Sequence, residues 1–203
     1  MMERWTTKEL TVLKKLTTPH RIQEFLDRTG YSAESRYRCP HAVLHDRKAH
    51  CFDGAVFAAA MLRRIGYRPL IVDMQAVRDD DHVIAVFMKN RKYGAIAKSN
   101  FAGLRYREPL YRDVRELVMS YFESFYNSAR EKTLRQFTAP LDLSRYPGFE
   151  FSEERMEEIG LKLSYLPVTK LMTPAEIRAL LPVDDRSYKA GLLGANAAGL
   201  YKP

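Results

Sequence analysis

Only two of the 203 residues are cysteine and only one is tryptophan. Two cysteines are too few for a disulfide framework, and they make no structural zinc site without two histidines. No stretch approaches the roughly 18 consecutive apolar residues of a membrane span, so no membrane association is expected. The N-terminal MMERWTTKELTVLKK is too charged to hold the apolar centre of a secretory signal. A cytoplasmic protein with reduced thiols is therefore expected. Repeats and low-complexity tracts are also missing, which excludes a solenoid and a globally disordered chain.

Hydrophobic residues make up 46% of the sequence, enough for one substantial core, and a single domain over residues 1–203 is expected. Net charge is +8, from 33 basic and 25 acidic residues. Such a balance suits anionic partners, nucleic acid among them. The basic residues are scattered through RYREPLYRD, LRRIGYRP and KNRKYG, however, as on a solvated surface, so nucleic acid is not an expected partner.

Local signals divide the chain. Thr18-Pro19 starts a helix that Gly30 is expected to stop, and Pro40 starts another through PHAVLHD. From Cys51 to Ile65 polar residues almost vanish. A helix apolar nearly all round is a buried one, with Gly66 as its left-handed stop. YRPLIVDMQAV then reads as a buried strand, HVIAVFM as a second beginning at His82, and YGAIAKSN as a third returning from the KNRK turn. DVRELVMSYFESFYN keeps helical spacing from Val114 to Phe125, Ser152 caps SEERMEEIGLKL, and Thr173-Pro174 starts a last helix. The Gly-rich tail GLLGANAAGLYKP is expected to be poorly ordered.

Cys51 thus stands at the N-terminus of the central helix. Free N–H groups there depress a thiol pKa and stabilise an oxyanion, which suits a nucleophile. Most cysteines are instead small buried hydrophobes, and position alone does not separate the two readings. His82, at a strand start, decides for catalysis if it faces the helix. His50 is an alternative base, but its side chain need not reach the sulfur. His41, His45 and His50 lie near the cysteines, yet CPH…H…HC matches no CxxC-type spacing, so no metal or other cofactor is expected.

The stretch AHCFDGAVFAAAMLRRIGYRPLIV…DDDHVIAVF…KYGAIAKSNF resembles the transglutaminase-like superfamily over about residues 39–112, and the flanking sequence resembles a bacterial branch of it. The resemblance implies an α+β, papain-like core with the Cys helix packed on an antiparallel sheet. N-terminal helices (1–38) and a helical C-terminal extension (113–203) would flank it. By motif, Cys51 would be the nucleophile, His82 the general base, and Tyr93 would replace the family's tryptophan. The family's acid, four residues after that aromatic, is here Ala97, and no Asp or Glu follows until Glu108.

Hairpin register offers a substitute. A symmetric KNRK turn pairs Met88 with Tyr93 and sets Ser99 opposite His82, while a one-residue slip brings Asn100 there. Either Ser99 or Asn100 is then the candidate third member, with a polar strand end as the structural alternative. Asp79, Asp80 and Asp81 read as a solvated loop. The expected function is cysteine-dependent acyl chemistry on an amide or peptide, by peptidase or amidase hydrolysis or transglutaminase-type transfer. The alternative, favoured by the missing acid, is a catalytically silent binding module for an acidic partner.

Overall fold

The computed structural model describes residues 5–202. Helix α1 (Thr7–Leu13) opens on a capping box in which Thr6 and Glu9 exchange backbone and side-chain hydrogen bonds. Thr18 caps α2 (Pro19–Asp27), with Pro19 in the first turn. Gly30 does not stop this helix, which closes at Arg28. It instead opens β1 (Gly30–Tyr31), which pairs in parallel with β2 (Lys48–Ala49) across the intervening α3 (Pro40–Asp46).

The central helix α4 (Cys51–Arg64) is buried at every position from Phe52 to Leu62. Gly66, at φ 93°, ends it: its N–H bonds the Arg63 carbonyl and the Tyr67 N–H bonds that of Leu62, the paired bonds of a Schellman stop. Then follow β3 (Leu70–Ala76), β4 (His82–Lys89) and β5 (Lys92–Ile96). Asn90 and Arg91, both at positive φ (51° and 62°), make the tight turn between the last two. Met88 pairs with Tyr93, the register expected from the turn.

Strand β6 (Arg107–Tyr111) pairs beyond β5. After α5 (Val114–Met119) come β7 (Leu134–Thr138), β8 (Leu141–Asp142), α6 (Glu153–Ser164) and β9 (Val168–Lys170). The sheet order is β6-β5-β4-β3-β7-β9, with β8 also pairing β3, and its pairings are antiparallel. The fold is α+β with a mostly antiparallel sheet. Residues 113–203 are therefore not a helical extension, since β7 lies beside β3 inside the sheet. Short helices α7 (Pro174–Arg178) and α8 (Asp185–Gly191) precede the tail. No helix among the described residues is long and apolar enough to cross a membrane.

Strand alternation sorts the core into two layers. Ile71, Val83, Ala85 and Phe87 pack with α4, whereas Val72, Ile84, Val86 and Ala95 pack with Leu117, Val118, Tyr121 and Phe125. The helix expected through Phe125 breaks after Met119. Tyr121 and Phe125 N–H groups bond three residues back, tightening the backbone, and the Tyr121 hydroxyl donates to the Arg105 carbonyl at 2.8 Å. Tertiary anchoring of Tyr121 overrides the periodicity.

Candidate active site

The N-terminus of α4 is built from side chains that serve as caps. His50 Nδ1 accepts the Phe52 N–H at 3.2 Å, and Asp53 accepts the N–H groups of His50 (3.3 Å) and Arg38 (2.8 Å). That use of Nδ1 removes His50 as a base, and burial pushes its pKa down to about 4. Burial pushes the Asp53 carboxyl up to about 7, against the pull of its two N–H donors and the Arg38 charge. Gly54 lets the chain after β5 cross this first turn: an added Cβ would stand 2.3 Å from Lys98 Cβ. Lys98 runs on to the end of α2, where its ammonium donates to the carbonyls of Leu26 and Thr29.

Cys51 is half-buried, and its thiol donates to the Asp81 carbonyl at 3.6 Å. Neither cysteine is paired, and Cys39 is buried. The Cys51 side lines a cavity of about 520 Å³ together with Tyr31, Tyr37, His50, Asp73 and Asp81. Burial pushes the thiol up to about 12, and the charges of Asp73 and Asp53 act in the same direction. The helix start therefore does not yield a resting thiolate: desolvation outweighs the Val83 and Phe52 N–H groups that oppose it.

His82 opens β4 and is 4% exposed. Its Nε2 lies 2.8 Å from the Leu104 carbonyl, so Nε2–H donates there and Nδ1 carries the lone pair. The ring stands edge-on to Phe125 at 6.2 Å, on the sheet face of Ile84 and Val86 and away from α4. Cys51 meets the backbone on either side of His82, at Asp81 and Val83, and makes no hydrogen bond to the ring. Both side chains line a second cavity of about 40 Å³. Burial pushes the imidazole down to about 4, so at neutral pH both groups are uncharged.

Ser99 and Asn100 line the same small cavity but are bonded elsewhere. Ser99 Oγ accepts the Phe101 N–H at 3.0 Å. The Asn100 amide exchanges two bonds with the Asn196 backbone, at 2.9 and 2.7 Å. The orienting role expected of them falls to the Leu104 carbonyl. Beyond Ile96 the buried Gln23 side chain takes the place of β6 beside the chain: its amide bonds both the N–H (3.0 Å) and the carbonyl (2.9 Å) of Ala97. Pairing between β4 and β5 ends at Ala85 and Ile96, short of the His82–Ser99 position.

Two further features belong to the site. Asp73, the lone acid of β3, is 6% exposed, lines the large cavity, and its Oδ1 has no hydrogen-bond partner. Burial pushes it up to about 7. A single acid inside LIVDMQAV is the sequence signal for it. The tail is also ordered against the site: Ala198, Gly199 and Leu200 line the large cavity, and Gly199 and Tyr201 the small one. Asp79 and Asp81 close their loop by accepting from the Thr133 hydroxyl and the Ala76 N–H. Glu34, Asp73, Asp80 and Asp81 stand on the wall of the large cavity, which includes no Lys or Arg.

No family model matches the chain, and no curated protein matches it. Among solved structures, Legionella pneumophila LapG in an EGTA-treated form is similar over 72% of this chain and 84% of that one, at 12% identity and a TM-score of 0.40. A second Legionella pneumophila LapG structure is similar over 72% and 83%, with the same identity and TM-score.

Proposed function

We propose that this chain performs cysteine-dependent acyl chemistry on an amide or peptide bond, on a papain-like, transglutaminase-like core. The observation that carries this reading is the placement of Cys51: the first residue of a buried helix, half-exposed on a large cavity, sharing a small one with a buried histidine. Cys51 Sγ attacks the carbonyl carbon, and its proton passes to His82 Nδ1 when substrate brings ring and sulfur together. The Cys51 N–H, a free donor of the first helical turn, faces the developing oxyanion. The proton then goes to the leaving nitrogen, and water or a second amine cleaves the thioester. The carboxylate-lined wall favours a neutral or cationic segment of substrate, such as a lysine-bearing peptide.

A second reading, a silent binding module, rests on one specific observation: the His82 ring is committed to Leu104 and turned from the thiol. One experiment separates the two. The protein is incubated with a panel of peptidyl electrophiles, and adducts are mapped by mass spectrometry. The enzyme reading expects adducts on Cys51 that vanish in Cys51→Ser and fall at least about tenfold in His82→Ala. Labelling of Cys51 by iodoacetamide that is indifferent to His82, with no peptidyl adducts, assigns the binding module.

A further inference from the structure

Helix α3 carries His41 and His45 four residues apart, so both imidazoles leave one helix face. Glu9 of α1 reaches between them: its Oε1 lies 3.0 Å from His41 Nε2 and 2.6 Å from His45 Nε2. One ligating atom from each residue falls within 4.8 Å of the others. The carboxylate is held in place, because its second oxygen accepts the Thr6 N–H at 2.6 Å. An apolar wall stands behind the histidines, with the Trp5 ring 5.8 Å and the Phe151 ring 5.4 Å from that of His41. The other side is open: His41 and His45 are 39% and 56% exposed.

Glu9 is only 7% exposed; its Oε1 meets both imidazole nitrogens, and its Oε2 is taken by the Thr6 N–H. The three side chains thus offer one oxygen and two nitrogens within 4.8 Å of one another. A divalent ion satisfies all three groups together.

We propose that Glu9, His41 and His45 bind a single late first-row divalent ion, zinc foremost, with water completing the coordination. Two imidazoles and a carboxylate suit zinc, nickel or copper, and not magnesium or calcium. Bonds of about 2.0–2.2 Å place tetrahedral donors about 3.3 Å apart. The Glu9–His41 contact widens to that by about 0.3 Å and the Glu9–His45 contact by about 0.7 Å, which the exposed His45 side chain permits. The site is separate from the cavities at Cys51, whose walls include none of the three residues. It ties α1 to α3 and so fixes the N-terminal helix on the core. The sequence concealed it because His41 and His45 invite grouping with the nearby cysteines, whereas the third ligand lies 32 residues upstream of His41.

The test uses the full chain, freed of metal with EDTA. Zinc is titrated against a chromophoric chelator, and nickel is followed through Trp5, the only tryptophan in the chain. The proposal expects one zinc per chain with Kd below about 1 μM, quenching of Trp5 by nickel, and reversal of that quenching by zinc. His41→Ala and His45→Ala, both exposed and compatible with folding, each weaken zinc binding by about a hundredfold or more. Glu9→Gln, which keeps the Thr6 contact, weakens it as well, while His20→Ala on α2 leaves it unchanged. Circular dichroism confirms that each variant is folded. Affinity weaker than about 10 μM, binding of several ions, or tight binding that survives the His41→Ala/His45→Ala double variant overturns the proposal.

Discussion

Gln23→Ala tests whether a side chain can stand in for a strand. Gln23 is 3% exposed, and its amide occupies both backbone groups of Ala97, itself fully buried. Truncation leaves an N–H and a carbonyl without partners in a place water does not reach. Each orphaned group costs about 1–3 kcal/mol, so the variant loses about 4 kcal/mol in all. For a chain of this size that corresponds to a fall in Tm of about 8–16 °C. Urea denaturation followed by circular dichroism measures the loss, and hydrogen exchange at the Ala97 amide locates it. Gln23→Leu restores the volume but neither hydrogen bond, and is expected within about 1 kcal/mol of the alanine variant. Gln23→Glu retains an acceptor for the N–H but sets a second oxygen against the Ala97 carbonyl, and is no better. A loss below about 1 kcal/mol for Gln23→Ala, or full rescue by leucine, would refute the reasoning: packing, not the paired bonds, would then hold this segment.

Acid should destabilise the fold through His82. Its folded pKa of about 4 lies below the ordinary 6.5, so protonation favours the unfolded chain. Its contribution is intact above about pH 6.5 and fades as pH falls toward 4, by about 3 kcal/mol in full. Asp53 and Asp73, held up near 7, give the opposite slope in wild type and variant alike, so the difference between wild type and His82→Gln isolates the histidine. Parallel stability curves at pH 7.5 and 4.5 would count against this. In the β4–β5 turn, Arg91→Gly should stabilise the protein by about 0.5–1 kcal/mol by relieving a positive φ, measured as a rise in urea midpoint; a decrease contradicts the strain. Gly54→Ala should cost more than about 2 kcal/mol despite alanine's better helix propensity, because its Cβ overlaps that of Lys98. A thermal melt showing stabilisation would mean that Lys98 gives way freely.

Signals that act within a few residues were legible. Thr18-Pro19, Ser152 and Thr173-Pro174 start helices where the sequence places them, and the apolar run from Ala55 to Leu62 specifies the burial of α4. The Asn90-Arg91 turn fixes the β4–β5 register. The α+β class was implied by the family resemblance, but the strands after residue 113 were not. LRQFT is short and half polar, and becomes β7 only because β3, nearly 60 residues earlier, offers it an edge. At the site, Cys51 at the helix start was legible, whereas the desolvation that keeps its thiol neutral belongs to tertiary packing. The hairpin register carried on to Ser99 did not hold because β4–β5 pairing stops at Ile96 and the next residue, Ala97, is bound by Gln23 from a helix some 70 residues upstream. His50 showed itself as an imidazole, but its use as a cap, with Nδ1 accepting the Phe52 N–H, showed only in the folded helix start.

The tail between Asn196 and Tyr201 gives Cys51 a kinetic dimension. It is fastened by few polar ties: the Asn100–Asn196 pair, Ser128 to the Tyr201 carbonyl, and Asn196 to Tyr31. Segments held in this way open with free energies far below that of global unfolding. Since Gly199 is a wall of both cavities beside Cys51, a bulky thiol reagent reads two quantities at once, the intrinsic reactivity of the sulfur and the equilibrium constant for lifting the tail. Size resolves them: a small alkylating agent samples the first, and a large one their product. An alanine at position 199, whose Cβ would meet the Tyr31 ring at 2.7 Å, should therefore accelerate the large reagent and leave the small one nearly unchanged. The ratio of the two rates is a local stability measurement made without denaturant, with the cysteine serving as its own clock.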